Sequence, residues 1–154
     1  MLMEILIACL LVVVTVATHA FGFSALLRAM MRSRALDRSG FITPFVIGLT
    51  CWLILIHLVE IALWGLFYLW RGCLPDAESA FYFSAVTYTT VGYGDLVLAK
   101  PWRLLAPLEA LTGILMCGLS TGLFFAIVSR WIGNWIHKKT ESECPAEAAQ
   151  KGSL

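Results

Sequence analysis

Charge is scarce in this sequence: Asp, Glu, Lys and Arg together make up 14% of 154 residues, against about 25% in an ordinary soluble domain. The two signs nearly cancel, to a net +1, so no global field draws in nucleic acid and no nucleic-acid partner is expected. The five cysteines (Cys9, Cys51, Cys73, Cys117, Cys144) lack the close pairing of a zinc or redox motif and indicate no metal site. Three of them lie in long apolar runs, where cysteine behaves as a small hydrophobe. Also missing are a nucleophile beside a base, a metal-ligand set and a glycine-rich phosphate loop, so neither enzyme nor cofactor is expected. What is present is apolar: 60% of the residues are hydrophobic and mean hydropathy is +0.83, the composition of a multi-pass protein of a cell membrane with lipid as its surroundings.

Residues 5–27 carry no charge, enough chain at about 1.5 Å per residue to cross some 30 Å of hydrocarbon. This is read as a first spanning helix rather than a cleaved signal peptide, whose basic leading region is missing. Arg28, Arg32, Arg34 and Arg38 then crowd a polar link ending at the turn signal Ser39-Gly40, so residues 1–40 form an extra helix with a basic link. A second span covers 45–70, with Pro44 at its entry and Arg71, Gly72 and Pro75 at its exit. Residues 80–94 are uncharged but too short to cross, which suggests a re-entrant element. The third span covers 104–129, interrupted by Glu109, and Arg130, Lys138 and Lys139 follow it. The expected division is therefore a domain at 41–137, comprising an outer helix 43–71, a short helix 77–88, a loop 90–95 and an inner helix 103–137. A disordered tail is expected over 138–154.

Four Lys or Arg residues follow the first span and three follow the third, against Arg71, Lys100 and Arg103 at the opposite ends. The positive-inside rule then predicts an outside N-terminus and a cytoplasmic C-terminus. Trp70 and Trp102 fall at the expected outer interface, Trp131 and Trp135 at the inner one. Cys73 is the one cysteine left alone on the outer face, free or bridging subunits.

Asp76 is placed to cap a helix from Ala77 to about Tyr88, with Glu78 in its first turn. Entering from outside and stopping part-way, this helix aims its negative C-terminal end at the membrane centre, where it favours a cation. Directly after it comes Thr89-Thr90-Val91-Gly92-Tyr93-Gly94-Asp95, which resembles, over seven consecutive positions, the signature of the potassium-channel pore-domain family. The resemblance extends over about residues 45–130. It implies an all-α membrane fold of outer helix, pore helix, filter and inner helix repeated around a fourfold axis, with the first helix as an addition. It implies a homotetramer that passes dehydrated potassium through rings of backbone carbonyls. Residue by residue it assigns potassium coordination to Thr90, Val91, Gly92 and Tyr93, and support of that filter to Thr89, Gly94 and Asp95. The backbone there must alternate through conformations that disfavour a Cβ, a freedom Gly92 and Gly94 supply. Gly113, Gly118 and Gly122 become hinge candidates on the inner helix, with close helix packing as the alternative.

The chain departs from the family where many members carry a pore-helix glutamate paired with the filter aspartate; Val86 stands at that position, and Asp95 needs another partner. The first span lacks arginines at every third position and is not expected to sense voltage. Two other readings remain: a weakly selective cation channel, and a non-conducting or regulatory membrane subunit. A transporter subunit fits less well, because such chains carry several repeats with single-glycine filters.

Polar side chains within the spans are functional candidates because they are costly there. His57, Glu60 and Trp64 share one helical face. His57 and Glu60 are either a proton-sensing pair or a structural hydrogen bond, and His19 in the first span has similar standing. Glu109 either hydrogen-bonds behind the filter, in place of the absent acid, or snorkels to the outer headgroups.

Overall fold

The computed structural model describes residues 2–33 and 42–151. Among the described residues the elements are α1 (Leu2–Ser33), α2 (Ile42–Trp70), α3 (Ala77–Tyr88) and α4 (Leu105–Lys151), with a 3-10 turn at Lys100–Trp102 before α4. Three of them are long and apolar enough to cross a membrane. At 12 residues, α3 reaches about 18 Å and cannot. The fold is all-α among the described residues, as the sequence led one to expect.

Side-chain pairings fix how the helices run. Along α1, Thr15, His19 and Gly22 meet Trp64, Glu60 and Trp52 of α2 in that order, so the two helices are antiparallel. Along α4, Glu109 meets Tyr68, and Ser120 meets His57, so α4 also opposes α2 and runs with α1. One end of the bundle is packed by Trp64, Phe67, Tyr68, Leu74, Phe83, Leu98 and Leu105. The other is packed by Leu26, Met30, Leu49, Leu53 and Ile127. Between these apolar clusters lies a polar waist.

Gly72 ends α2 in a left-handed conformation, φ +63°. Gly72 N–H reaches the Leu69 carbonyl and Cys73 N–H the Tyr68 carbonyl, at 3.1 and 2.9 Å, the Schellman pattern that satisfies the last carbonyls of a helix. Asp76 then opens α3 as expected, accepting from Ser79 N–H and Ser79 Oγ at 2.8 and 3.0 Å. These bonds hold its carboxyl below the usual range. Descending from the first cluster, α3 packs on α2 and α4 and brings Tyr88 to the waist, where the helix stops half-way through the bundle.

Two expectations are corrected. Arg28 and Arg32 lie on the last turns of α1 rather than in a link; Arg34, Arg38, Ser39 and Gly40 fall outside the described residues. And α4 continues as helix to Lys151 instead of giving way after 137 to a disordered tail. The Glu, Ala, Gln and Lys of that stretch favour a helix without an apolar stripe, against the cost of Pro145 within it.

Candidate functional site

The segment after α3 leaves the helix by a tightening turn. Thr90 N–H bonds the Thr87 carbonyl at 2.9 Å, while Val91 and Gly92 N–H share the Val86 carbonyl at 3.0 and 3.2 Å. From there the backbone alternates in hand: φ is +62° at Thr90, +55° at Gly92 and +78° at Gly94, with no positive φ at Val91 or Tyr93. A Cβ at Gly92 or Gly94 would meet nothing within 4 Å, so backbone conformation, not lack of space, calls for glycine there. Thr90 adopts the same conformation with a branched side chain, at a cost on the order of 1–3 kcal/mol. Spacing alone had pointed only to the two glycines. Val91 and Tyr93 are exposed, Tyr93 at 72%.

Asp95 finds its partner one turn earlier on α3 than Val86. Tyr82 donates its hydroxyl to Asp95 Oδ2 at 2.8 Å, and Leu96 N–H donates to Oδ1 at 3.0 Å. The carboxylate pushes the Tyr82 hydroxyl above its ordinary pKa. Tyr82 went unnoticed in the sequence, although its i−4 spacing from Val86 put it on the same helical face.

Glu109 is fully buried and does not snorkel. Tyr68 donates its hydroxyl to Oε2 at 2.6 Å, and Ser84 Oγ lies 2.6 Å from Oε1 and 2.8 Å from the Ile61 carbonyl, so Glu109 ties α2 and α3 to the start of α4 behind the short helix. Gly113 sits where a Cβ would lie 2.0 Å from the Tyr88 carbonyl oxygen, a close approach of α4 to the foot of α3. Gly118 and Gly122 face open space within this chain. α4 is unbroken through all three.

The waist joins every helix. His19 Nδ1 lies 2.7 Å from Glu60 Oε1, and His57 Nδ1 lies 3.1 Å from Oε2. Tyr88 donates to Glu60 Oε2 and its hydroxyl is 3.0 Å from His57 Nδ1. Ser120 Oγ lies 3.0 Å from His57 Nε2 and 3.4 Å from His19 Nε2. Thus His57 and Glu60 do come together, and His19 joins them. Tyr88 and Ser120 were not anticipated, being separated from their partners by 28 to 101 positions in the chain. Next to this ring, buried Trp64 donates to Thr15 at 3.0 Å.

At the Cys73 end of the bundle, the Arg71 guanidinium lies 4.9 Å from the Trp102 ring centroid and 5.6 Å from that of Trp70. Cys73 is free within the chain and half-buried, and burial pushes its thiol pKa up. Trp135 is exposed at the far end of α4, whereas Trp131, expected at an interface, is buried.

No curated protein and no solved structure matches the chain. The family model described as "Ion channel" matches residues 54–130, half of the sequence and the part that holds α3, the alternating segment and most of the waist; the chain belongs to the ion channel family.

Proposed function

We propose that this ion channel is potassium-selective and is built from four copies of the chain around one axis. The observation that carries the reading is the alternation of backbone hand at Thr90, Gly92 and Gly94, at the C-terminal end of a helix that stops half-way through the bundle. Such alternation turns successive carbonyls toward one side, and a row of carbonyls replaces the water of a potassium ion without a fixed countercharge that would trap it. Coordination falls to the carbonyls of Thr90, Val91, Gly92 and Tyr93 and to the Thr90 hydroxyl, with Thr89, Gly94, Asp95 and Glu109 as supports. One chain provides a quarter of each ring, and the exposed Val91 and Tyr93 are the side chains a neighbouring copy would cover. The dipole of α3 adds negative potential where the ion has shed its water. Tyr82 supplies the donor that Asp95 lacks at Val86. The excess of basic residues at the ends of α1 and α4 supports an outside N-terminus and a cytoplasmic C-terminus.

Purified protein in liposomes, assayed for potassium flux with barium block and for reversal potential in mixed potassium and sodium, tests the reading. A reversal potential near the potassium equilibrium value is expected. Equal permeability to sodium would make this a weakly selective cation channel, and absence of flux a regulatory subunit.

A further inference from the structure

The waist has the makings of a metal centre. Three ligand types suited to a divalent transition metal, two imidazoles and one carboxylate, come from His19 on α1 and from His57 and Glu60 on α2, with all three donor atoms within 4.8 Å of one another. The His19 and Glu60 side chains are 3% and 0% exposed and that of His57 17%. His19 Nδ1 lies 2.7 Å from Glu60 Oε1 and His57 Nδ1 3.1 Å from Oε2, both shorter than the edge of about 3.3 Å between ligands held at about 2.0–2.1 Å from a tetrahedral zinc ion, so the three side chains open slightly to take one. The Tyr88 hydroxyl, 3.0 Å from His57 Nδ1 and donating to Glu60 Oε2, orients the carboxylate from outside the ligand set.

The far side of the two rings strengthens the case. Both Nε2 atoms converge on one oxygen, Ser120 Oγ. Without an ion, a neutral ring closes only with Glu60 protonated: Glu60 donates to Tyr88, Tyr88 to His57 Nδ1, His57 Nε2–H to Ser120, Ser120 to His19 Nε2 and His19 Nδ1–H back to Glu60. With Glu60 ionised, the five contacts of the ring share four protons, so it takes up one more cation, a proton or a metal ion. With an ion on the Nδ1 lone pairs, both Nε2 atoms carry protons and both donate to Ser120 Oγ, which has two lone pairs to accept them. An outer hydrogen bond from each ligating histidine is what metal sites use to fix ring orientation. An ion also compensates the Glu60 carboxylate at a depth where charge is expensive. A cleft between α2 and α4, lined by Thr50, His57, Cys117, Ser120 and Thr121, reaches the His57 edge of the ring.

We propose that His19, His57 and Glu60 bind a zinc-class divalent ion inside the membrane, pinning the added helix α1 to α2, with water in the fourth position and Tyr88 hydrogen-bonded to the Glu60 ligand. Because Tyr88 immediately precedes the alternating segment, occupancy reaches the conducting part through one residue. The ligands must be deprotonated to bind, so acid releases the ion.

The full-length chain in lipid nanodiscs, equilibrated with zinc, dialysed and analysed for metal, is expected to retain one ion per chain. Cobalt in its place should give the intense visible bands of tetrahedral coordination. Glu60→Gln and His19→Ala should each weaken binding at least tenfold. Ser120→Ala, which removes no ligand, should weaken it by about 10–100-fold. His57→Cys keeps a ligand and should retain cobalt with a new thiolate charge-transfer band, so the proposal stays testable if the alanine variants fail to fold. Wild-type protein that retains no metal, Glu60→Gln with unchanged affinity, or cobalt spectra of an octahedral aquo ion would each overturn it, leaving a shared proton as the occupant of the ring. None of these readouts depends on whether the channel selects potassium.

Discussion

At Gly113 a Cβ would fall 2.0 Å from a backbone oxygen of Tyr88, and backbone at the foot of α3 cannot swing aside as a side-chain tip can. Gly113→Ala should therefore destabilise the protein by about 1–3 kcal/mol through overpacking. Gly118→Ala and Gly122→Ala meet nothing within this chain and should instead favour the helix by roughly 1 kcal/mol each. Thermal unfolding of the three variants in one detergent checks the reversal of sign. Equal stabilisation at all three positions would remove close packing as the role of Gly113, and loss at Gly118 or Gly122 would mean that a neighbouring copy approaches there. Glu109 presents a related case, since each of its oxygens meets a hydroxyl. Glu109→Gln lets the amide N–H donate to Ser84 Oγ while the serine proton turns to the Ile61 carbonyl 2.8 Å away, so stability should change by less than about 1 kcal/mol. Glu109→Leu instead leaves the Tyr68 hydroxyl unpaired in the interior, at about 1–3 kcal/mol, and the same unfolding measurement reads both. If Glu109 also supports the conducting segment, inactivation changes with it; unaltered inactivation and selectivity would confine it to packing.

Among the elements, α3 combines a charged cap at one end with the alternating segment at the other. The Asp76 carboxyl is held below its ordinary value by Ser79, so its contribution to folding is fully present above the ordinary carboxylate range and is lost as pH falls through the lowered value. Amide exchange in the first turn of α3, corrected for intrinsic rate, should rise on acidification below about pH 4. Asp76→Asn, which caps without titrating, should remove that pH dependence, and a first turn equally protected at all pH values would show that packing alone holds it. Both ends of α3 were legible in the sequence, because a cap and a signature are local and depend on neighbours in the chain. The spans were legible for a similar reason, since length and hydropathy are all they require. The Tyr82–Asp95 and Tyr68–Glu109 bonds and the convergence of Tyr88 and Ser120 on the histidines depend on how helices are set against one another. Periodicity within one helix carries no information about that. The helical extension of α4 was missed because a polar stretch was read as lacking structure when it lacked only a buried face.

For the molecule as a whole, the exposed Val91 and Tyr93 flank a segment of alternating hand that occurs once among the described residues, which is why the proposal needs several copies of the chain around one axis. If four copies share one conduit, a single altered copy spoils every ring it enters. Gly92, at φ +55°, is a suitable place to alter one, since alanine in that conformation costs about 1–2 kcal/mol at the point where carbonyl direction matters most. Gly92→Ala channels expressed alone should be silent. Co-expressed with an equal amount of wild type, they should reduce current to about one-sixteenth of the wild-type level for four random subunits, against about one-quarter for two. Whole-cell current against the expression ratio, with surface protein quantified in parallel, distinguishes these cases. A fall to one-half only would mean that each chain conducts by itself, and the shared axis, with the carbonyl rings drawn around it, would have to be given up.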